Sequence, residues 1–217
     1  MNYEVINSNS SGNCIILEEK IMLDCGVAFS RIKSKLKNVK IIFISHVHKD
    51  HLFPPTVKRI AYEKPTIKFL CGNKVVLEKL LECGVMAKNI IIIKNNKWYD
   101  LGMFRCMVQE MQHDTPNNCI HLKFRNKKIL YIVDTANVDN VKAKDYDLYL
   151  IEGNYDEDLL EEHKKEYDEQ NKYDYLYRVE QTHLSTKQAF DFLVENMGAN
   201  SEYQFIHQST KNTRNEV

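Results

Sequence analysis

The sequence predicts a layered α/β fold with mixed sheets, on three observations. Short apolar or alternating runs recur along the chain, bounded by Ser, Gly, Asn and Lys breaks; this is the length and pattern of strands. Helical patterns are interleaved between them, and strands alternating with helices form α/β layers. The chain has 217 residues, of which 43% are hydrophobic. That is enough to bury a sizeable core as one domain spanning 1–217.

In chain order, residues 3–7, 13–18 and 21–24 read as short antiparallel strands, with a turn at Ser10-Ser11-Gly12-Asn13. Residues 28–37 suit a short helix. Lys40 to Ile44 is β-branched and apolar, which predicts a buried strand. Pro54 and Pro55 open a helix to about residue 62, because proline suits the first helical turn. A strand at 66–70 precedes a helix at 73–83, whose Val75, Val76, Leu77, Leu80 and Leu81 supply an apolar face. Strands follow near 89–93, 103–109, 119–124, 128–133 and 146–151. Residues 156–178 are polar and rich in Glu, Lys and Tyr, and predict a long exposed helix, arm or lid. A helix at 186–196, for which Ser185 and Thr186 are good caps, and a strand at 203–206 complete the pattern.

Composition excludes several classes. Seven glycines and four prolines rule out a fibrous or low-complexity chain. No apolar run approaches the roughly 18 residues needed to cross a bilayer, so no membrane role is expected. The opening MNYEVINSNS lacks the basic-then-apolar layout of a signal peptide, and a cytoplasmic location is expected. The six cysteines form no CxxC pair and read as buried reduced thiols. Thirty basic residues balance thirty acidic ones, so a polyanion would have to be attracted by a local patch or a metal.

The histidines are not spread evenly. Ser45-His46-Val47-His48-Lys49-Asp50-His51 leaves the strand at 40–44 directly. His46 and His48 are two apart, so in an extended turn both point to one side. Neutral imidazole is a good ligand for zinc and its neighbours, and Asp50 and His51 offer an oxygen and a nitrogen to a second ion.

This HxHxDH motif at a strand end resembles that of the metallo-β-lactamase superfamily. Further parts agree in order. Asn9-Ser10-Ser11-Gly12-Asn13-Cys14 is similar to the family's SSGN turn, and Leu23-Asp24-Cys25-Gly26 to its DxG turn, whose Asp supports the metal loop. The resemblance implies a four-layer αββα fold, two mixed sheets sandwiched between helices, and two divalent ions, zinc first and manganese or iron as alternatives. It assigns His46, His48 and His113 to one ion, Asp50, His51 and His207 to the other, and Asp134 as the bridge. The implied chemistry is hydrolysis by a hydroxide held between the ions, oriented by Asp134 and dependent on Asp50.

Within the superfamily, Ile151-Glu152-Gly153-Asn154 followed by Thr182-His183-Leu184-Ser185-Thr186 resembles the Glu and His pair of the ribonuclease Z branch and its bacterial exonuclease-like relatives. There, a His held by a carboxylate protonates the leaving alkoxide. His183 is therefore the expected acid, oriented by Glu152. The expected function is a phosphodiesterase or nuclease, acting on nucleic acid or on a small phosphodiester. Alternatives are a small-molecule hydrolase of a cyclic nucleotide, phosphonate ester or thioester, a non-catalytic metal-binding module, and an iron redox role. A homo-oligomer is left open.

Charge is divided along the chain. Arg31, Lys33, Lys35, Lys37 and Lys40 form a basic stretch that suits either solvent or a nucleic-acid backbone. Residues 156–174 hold nine acidic and three basic residues, and His163 lies among them. His121 sits inside a strand and is expected to be a bystander.

Overall fold

The structure is a computed structural model that describes residues 2–168 and 173–209. These form two six-stranded mixed sheets and six α-helices, and they group into two compact units.

The first unit comprises residues 2–99, 107–110 and 115–118. Its sheet runs in sequence order: β1 (Tyr3–Asn9), β2 (Gly12–Leu17), β3 (Ile21–Leu23), β4 (Ile41–Phe43), β5 (Lys68–Cys71) and β6 (Ile90–Ile92). β1 to β3 are antiparallel, as tight turns at 10–11 and 18–20 require, and β3 to β6 are parallel. The parallel crossovers carry helices α1 (Phe29–Ile32), α2 (Pro54–Glu63) and α3 (Lys74–Glu82). α2 begins on both prolines. α3 is capped by Asn73, whose side chain accepts from the Val76 N–H at 2.9 Å. Ile32, Val57, Ile60, Val76 and Leu80 from the helices share one buried core with Ile16, Met22, Ile42 and Phe69 from the sheet. Each such side chain contributes roughly 1.5–3 kcal/mol on burial.

The second unit comprises, of the described residues, 100–106, 111–114, 119–168 and 173–209. The second sheet has the order β12 (Glu202–Ile206), β11 (Leu148–Glu152), β10 (Lys127–Ile132), β9 (Asn117–Phe124), β8 (Arg105–Met111) and β7 (Tyr99–Asp100). β9 and β10 form an antiparallel hairpin, and β10, β11 and β12 are parallel. In that parallel register Ile132 pairs with Ile151 and Ile151 with Phe205. The residues that follow each strand therefore emerge along one edge, which is where Asp134, Glu152 and His207 lie. Helix α6 (Thr186–Asn196) starts on a capping box between Ser185 and Gln188, and its Ala189, Phe192 and Leu193 pack with Leu130, Tyr149 and Ile151.

Three elements differ from the sequence expectation. The helix expected over 28–37 is only α1 followed by a 3₁₀ turn at Lys35–Lys37. Neither piece has a side-chain cap, and so short a segment cannot repay helix nucleation. The polar arm is two helices, α4 (Glu157–Asp168) and α5 (Tyr173–Thr182), packed through Tyr155, Leu160, Leu176 and Val179. α5 runs on to Thr182, so His183 follows the end of one helix as well as preceding another. β7 is two residues long and carries no periodic signal. The tail Lys211-Asn212-Thr213-Arg214 and Thr210 lie outside the described residues, as do the side chains of Tyr167, Tyr173 and Tyr175. All six cysteines are free and buried, as expected. No helix among the described residues is long and apolar enough to cross a membrane.

Candidate metal centre

In the first unit, the motif loop leaves β4 and is held from beneath by the two turns singled out in the sequence. Asn13 donates its backbone N–H to the Asp50 carbonyl at 2.6 Å, and Gly26 donates to the Asn13 carbonyl at 2.9 Å. Gly26 has no room for a side chain, because a Cβ there would lie 1.6 Å from the Asp50 carbonyl oxygen. Asp24, fully buried with a left-handed φ of 58°, accepts from the Ser45 N–H at 2.8 Å and the Ser45 hydroxyl at 2.9 Å. Its Oδ2 also meets His51 Nδ1 at 2.6 Å. The expected support role of Asp24 thus has a direct geometric basis.

The rings of His46 and His48 meet edge to face with centroids 4.7 Å apart, and those of His46 and His51 are tilted at 39° with centroids 4.2 Å apart. Because Asp24 takes the Nδ1–H of His51, the lone pair of that ring is on Nε2. Nε2 faces Asp50 Oδ2 at 3.3 Å. The Asn13 side-chain amide, 3.0 Å from His51 Nε2 and 3.4 Å from Asp50 Oδ2, donates to both lone-pair atoms, and a cation would take over that place.

The second unit presents the same arrangement. His113 Nδ1 donates to the Thr182 carbonyl at 3.1 Å. Its Nε2 lone pair therefore faces carboxylates, Asp114 Oδ1 at 3.3 Å and Asp134 Oδ2 at 3.8 Å. Donor atoms of Asp134, Glu152, His183 and His207 all lie within 4.8 Å of one another, a group able to hold a metal ion. His207 Nδ1 is 2.9 Å from Asp134 Oδ1 and 3.2 Å from Glu152 Oε2. Asn154 fixes His207 by donating to its carbonyl at 2.8 Å. Asp134 and His207 both adopt left-handed backbone, with φ of 49° and 51°. Such conformations cost about 1 kcal/mol or more for a side-chain-bearing residue and concentrate at functional positions.

Glu152 is fully buried. Its Oε1 accepts from the Thr135 and Leu184 N–H groups at 2.9 and 3.0 Å, and its Oε2 meets His183 Nδ1 at 2.9 Å. Burial works against the charged carboxylate, but the His183 charge and the bonds from His183 and His207 outweigh it and lower the Glu152 pKa. Burial likewise opposes the charged His183 imidazole, yet Glu152 and then Asp134 hold its pKa above the usual histidine value. The His183 side chain is 18% exposed against 2–3% for His113 and His207, so it is the reachable one.

Bystanders also resolve. His121 is buried and its Nδ1 meets the Tyr146 hydroxyl at 3.0 Å. In the basic stretch, Arg31 is taken up by Asn7 Oδ1 and the Ile6 carbonyl, and Lys35 by Glu4. Lys164 bridges Glu161 and Glu180, tying α4 to α5. Sequence reasoning missed three supports. The Thr182 carbonyl leaves no trace in residue type, while Asn13 and Asn154 lie inside motifs already noted but looked like turn residues.

Comparison with known proteins agrees with this geometry. The family described as Beta-lactamase superfamily domain matches residues 19–207. The chain is 33% identical over 104 residues to the human inactive cytidine monophosphate-N-acetylneuraminic acid hydroxylase, covering 46% of this chain and 21% of that protein. It therefore spans about a fifth of that relative's length. Human tRNase Z, short form, superposes with a TM-score of 0.68 at 15% identity, covering 97% of this chain and 93% of that one. Zn(2+)-bound PqqB from Methylobacterium extorquens superposes with a TM-score of 0.72 at 11% identity, covering 98% and 90%. With the family matched over most of its length, the chain belongs to the β-lactamase superfamily and has the metallo-β-lactamase fold.

Proposed function

We propose that this protein is a dinuclear metal-dependent hydrolase of phosphodiester bonds. His46, His48 and His113 would hold one divalent ion, Asp50, His51 and His207 the other, with Asp134 shared. The ions, when bound, would supply Lewis acidity and a nucleophilic water near neutral pH. The donor chemistry fits: in each unit a histidine lone pair faces a carboxylate, with the far ring nitrogen already committed to Asp24 or to Thr182. Zinc is the first choice for imidazole and carboxylate donors, with manganese and iron behind it. A zinc-bound protein among the structural neighbours supports that order.

The observation that carries the phosphodiester reading is the Glu152–His183 pair. Glu152 is pinned by two backbone N–H groups and aligns His183 from Nδ1 at 2.9 Å, which leaves Nε2 to carry a proton toward solvent and substrate. A sugar alkoxide leaves poorly unless protonated, so an aligned imidazolium is useful there and less needed for a thiolate. A tRNase among the structural neighbours supports the same class. The test is hydrolysis of bis-p-nitrophenyl phosphate, a single-stranded DNA oligomer and a thioester by metal-loaded protein. Phosphodiesters should turn over fastest, and Asp50→Ala should remove turnover while leaving the fold intact.

A second reading, oxidation at bound iron, draws on the imidazole and carboxylate donors, which also suit iron, and on the name hydroxylase that other relatives carry. Iron at the site together with no hydrolysis of any ester would select it.

A further inference from the structure

The first unit carries a cavity of about 440 Å³ whose lining includes Ser10, Ser11, Gly26, Lys49, Asp50 and Phe53. It opens beside Asp50, so whatever fills it lies next to the proposed reaction. The volume falls in the range of small-ligand sites, and suits one nucleotide unit rather than a length of duplex.

Its lining is unevenly committed. Lys49 is exposed and makes no ion pair among the described residues; its ammonium stands 5.7 Å from the centroid of the Phe53 ring. The Ser10 hydroxyl makes no hydrogen bond among the described residues, whereas that of Ser11 is held by Asn9 and Asn7. The Phe53 main chain is fixed in place, since its N–H donates to the Cys25 carbonyl at 3.0 Å and Pro54 follows it into α2. Gly26 borders the cavity with backbone alone. Among the described residues, a cation without an ion pair, a hydroxyl without a hydrogen bond and an aromatic side chain therefore line the same space. A ligand that satisfies all three bears an anion and a flat apolar ring.

We infer that this cavity binds one nucleoside of a phosphodiester substrate. Its base packs on Phe53, and a phosphate oxygen accepts from Lys49 and Ser10. Base–aromatic stacking tolerates any base, so the cavity selects nucleotides over alkyl phosphates without selecting sequence. The inference rests on the phosphodiester reading for its biological use, but binding does not require turnover.

The experiment is calorimetric titration of metal-loaded protein with thymidine 5′-monophosphate and with inorganic phosphate. Phe53→Leu should weaken the nucleotide roughly tenfold and leave inorganic phosphate unchanged, and Phe53→Tyr should restore nucleotide affinity. Lys49→Ala should weaken both ligands. Equal affinity of the wild type for the two ligands, or a nucleotide affinity indifferent to Phe53→Leu, overturns the inference. The p-nitrophenyl ester of thymidine 5′-monophosphate separates this from the proposed activity. Phe53-dependent binding without ester hydrolysis supports the cavity and contradicts the hydrolase. Hydrolysis indifferent to Phe53 keeps the hydrolase and removes the cavity.

Discussion

Asp24 Oδ2 and His51 Nδ1 lie 2.6 Å apart with both side chains fully buried. A residue from the turn after β3 thus sets the tautomer of a histidine in the loop after β4, and directs its Nε2 toward Asp50. Such a carboxylate–histidine contact raises the basicity of the ring and fixes its orientation.

Asp24→Ala leaves the Ser45 N–H, the Ser45 hydroxyl and the His51 ring without their common acceptor. Leaving a buried donor without its acceptor costs about 1–3 kcal/mol, which a urea titration reads directly. Asp24→Asn keeps the shape and loses the charge. It should weaken metal affinity about 10–100-fold in a chelator competition, and unchanged affinity would contradict a supporting role.

Gly26→Ala drives a methyl group into the Asp50 carbonyl, 1.6 Å from the built Cβ. The obstacle is backbone, so the motif loop must move and both stability and metal binding should fall sharply. Gly84→Ala is the control: it has open space and a φ of +81°, and meets only conformational strain of about 1–2 kcal/mol. Equal losses in the two variants would show that steric contact with the loop is not what excludes a side chain at 26.

Burial pushes the His121 pKa down to about 4. The folded protein therefore holds this ring neutral while the unfolded chain takes up a proton as pH falls through about 6.5. His121 should erode stability progressively between pH 6.5 and about 4, by about 3 kcal/mol at most, and have no effect above that window. His121→Gln does not titrate. Its urea midpoint should fall less than that of the wild type between pH 7.5 and pH 5; parallel losses would show that this ring is not responsible.

His183→Ala should slow alkyl phosphodiesters by about 10²–10⁴-fold and p-nitrophenyl esters far less, because a good leaving group needs no proton. Glu152→Gln should follow the same pattern more weakly. Equal losses for good and poor leaving groups would remove the acid role from His183.

Much of the fold was legible where one residue type dominates a strand or helix. The apolar run ending in Ile44, the paired prolines at 54 and 55, and the Ser185 cap all mark elements that the structure contains. Periodicity failed where it is too short to exist, in the two residues of β7 and the broken helix after Ala28. The candidate site is marked in the sequence by side chains that have few bland uses in a strand-end loop, His46 to His51 above all. What supports them is not, because a carbonyl such as that of Thr182 belongs to every residue. The acidic arm misled by composition alone: its charge is partly consumed internally by Lys164, and its second helix ends by placing Thr182 against His113.

The most direct test of the dinuclear hydrolase is the metal content of the purified protein measured beside its turnover of bis-p-nitrophenyl phosphate, before and after chelation. Two divalent ions per chain, loss of turnover when they are removed, and recovery on adding zinc or manganese are the expected results. Full turnover in protein stripped of metal, or a fully loaded protein with no turnover of any phosphodiester, would contradict the dinuclear hydrolase.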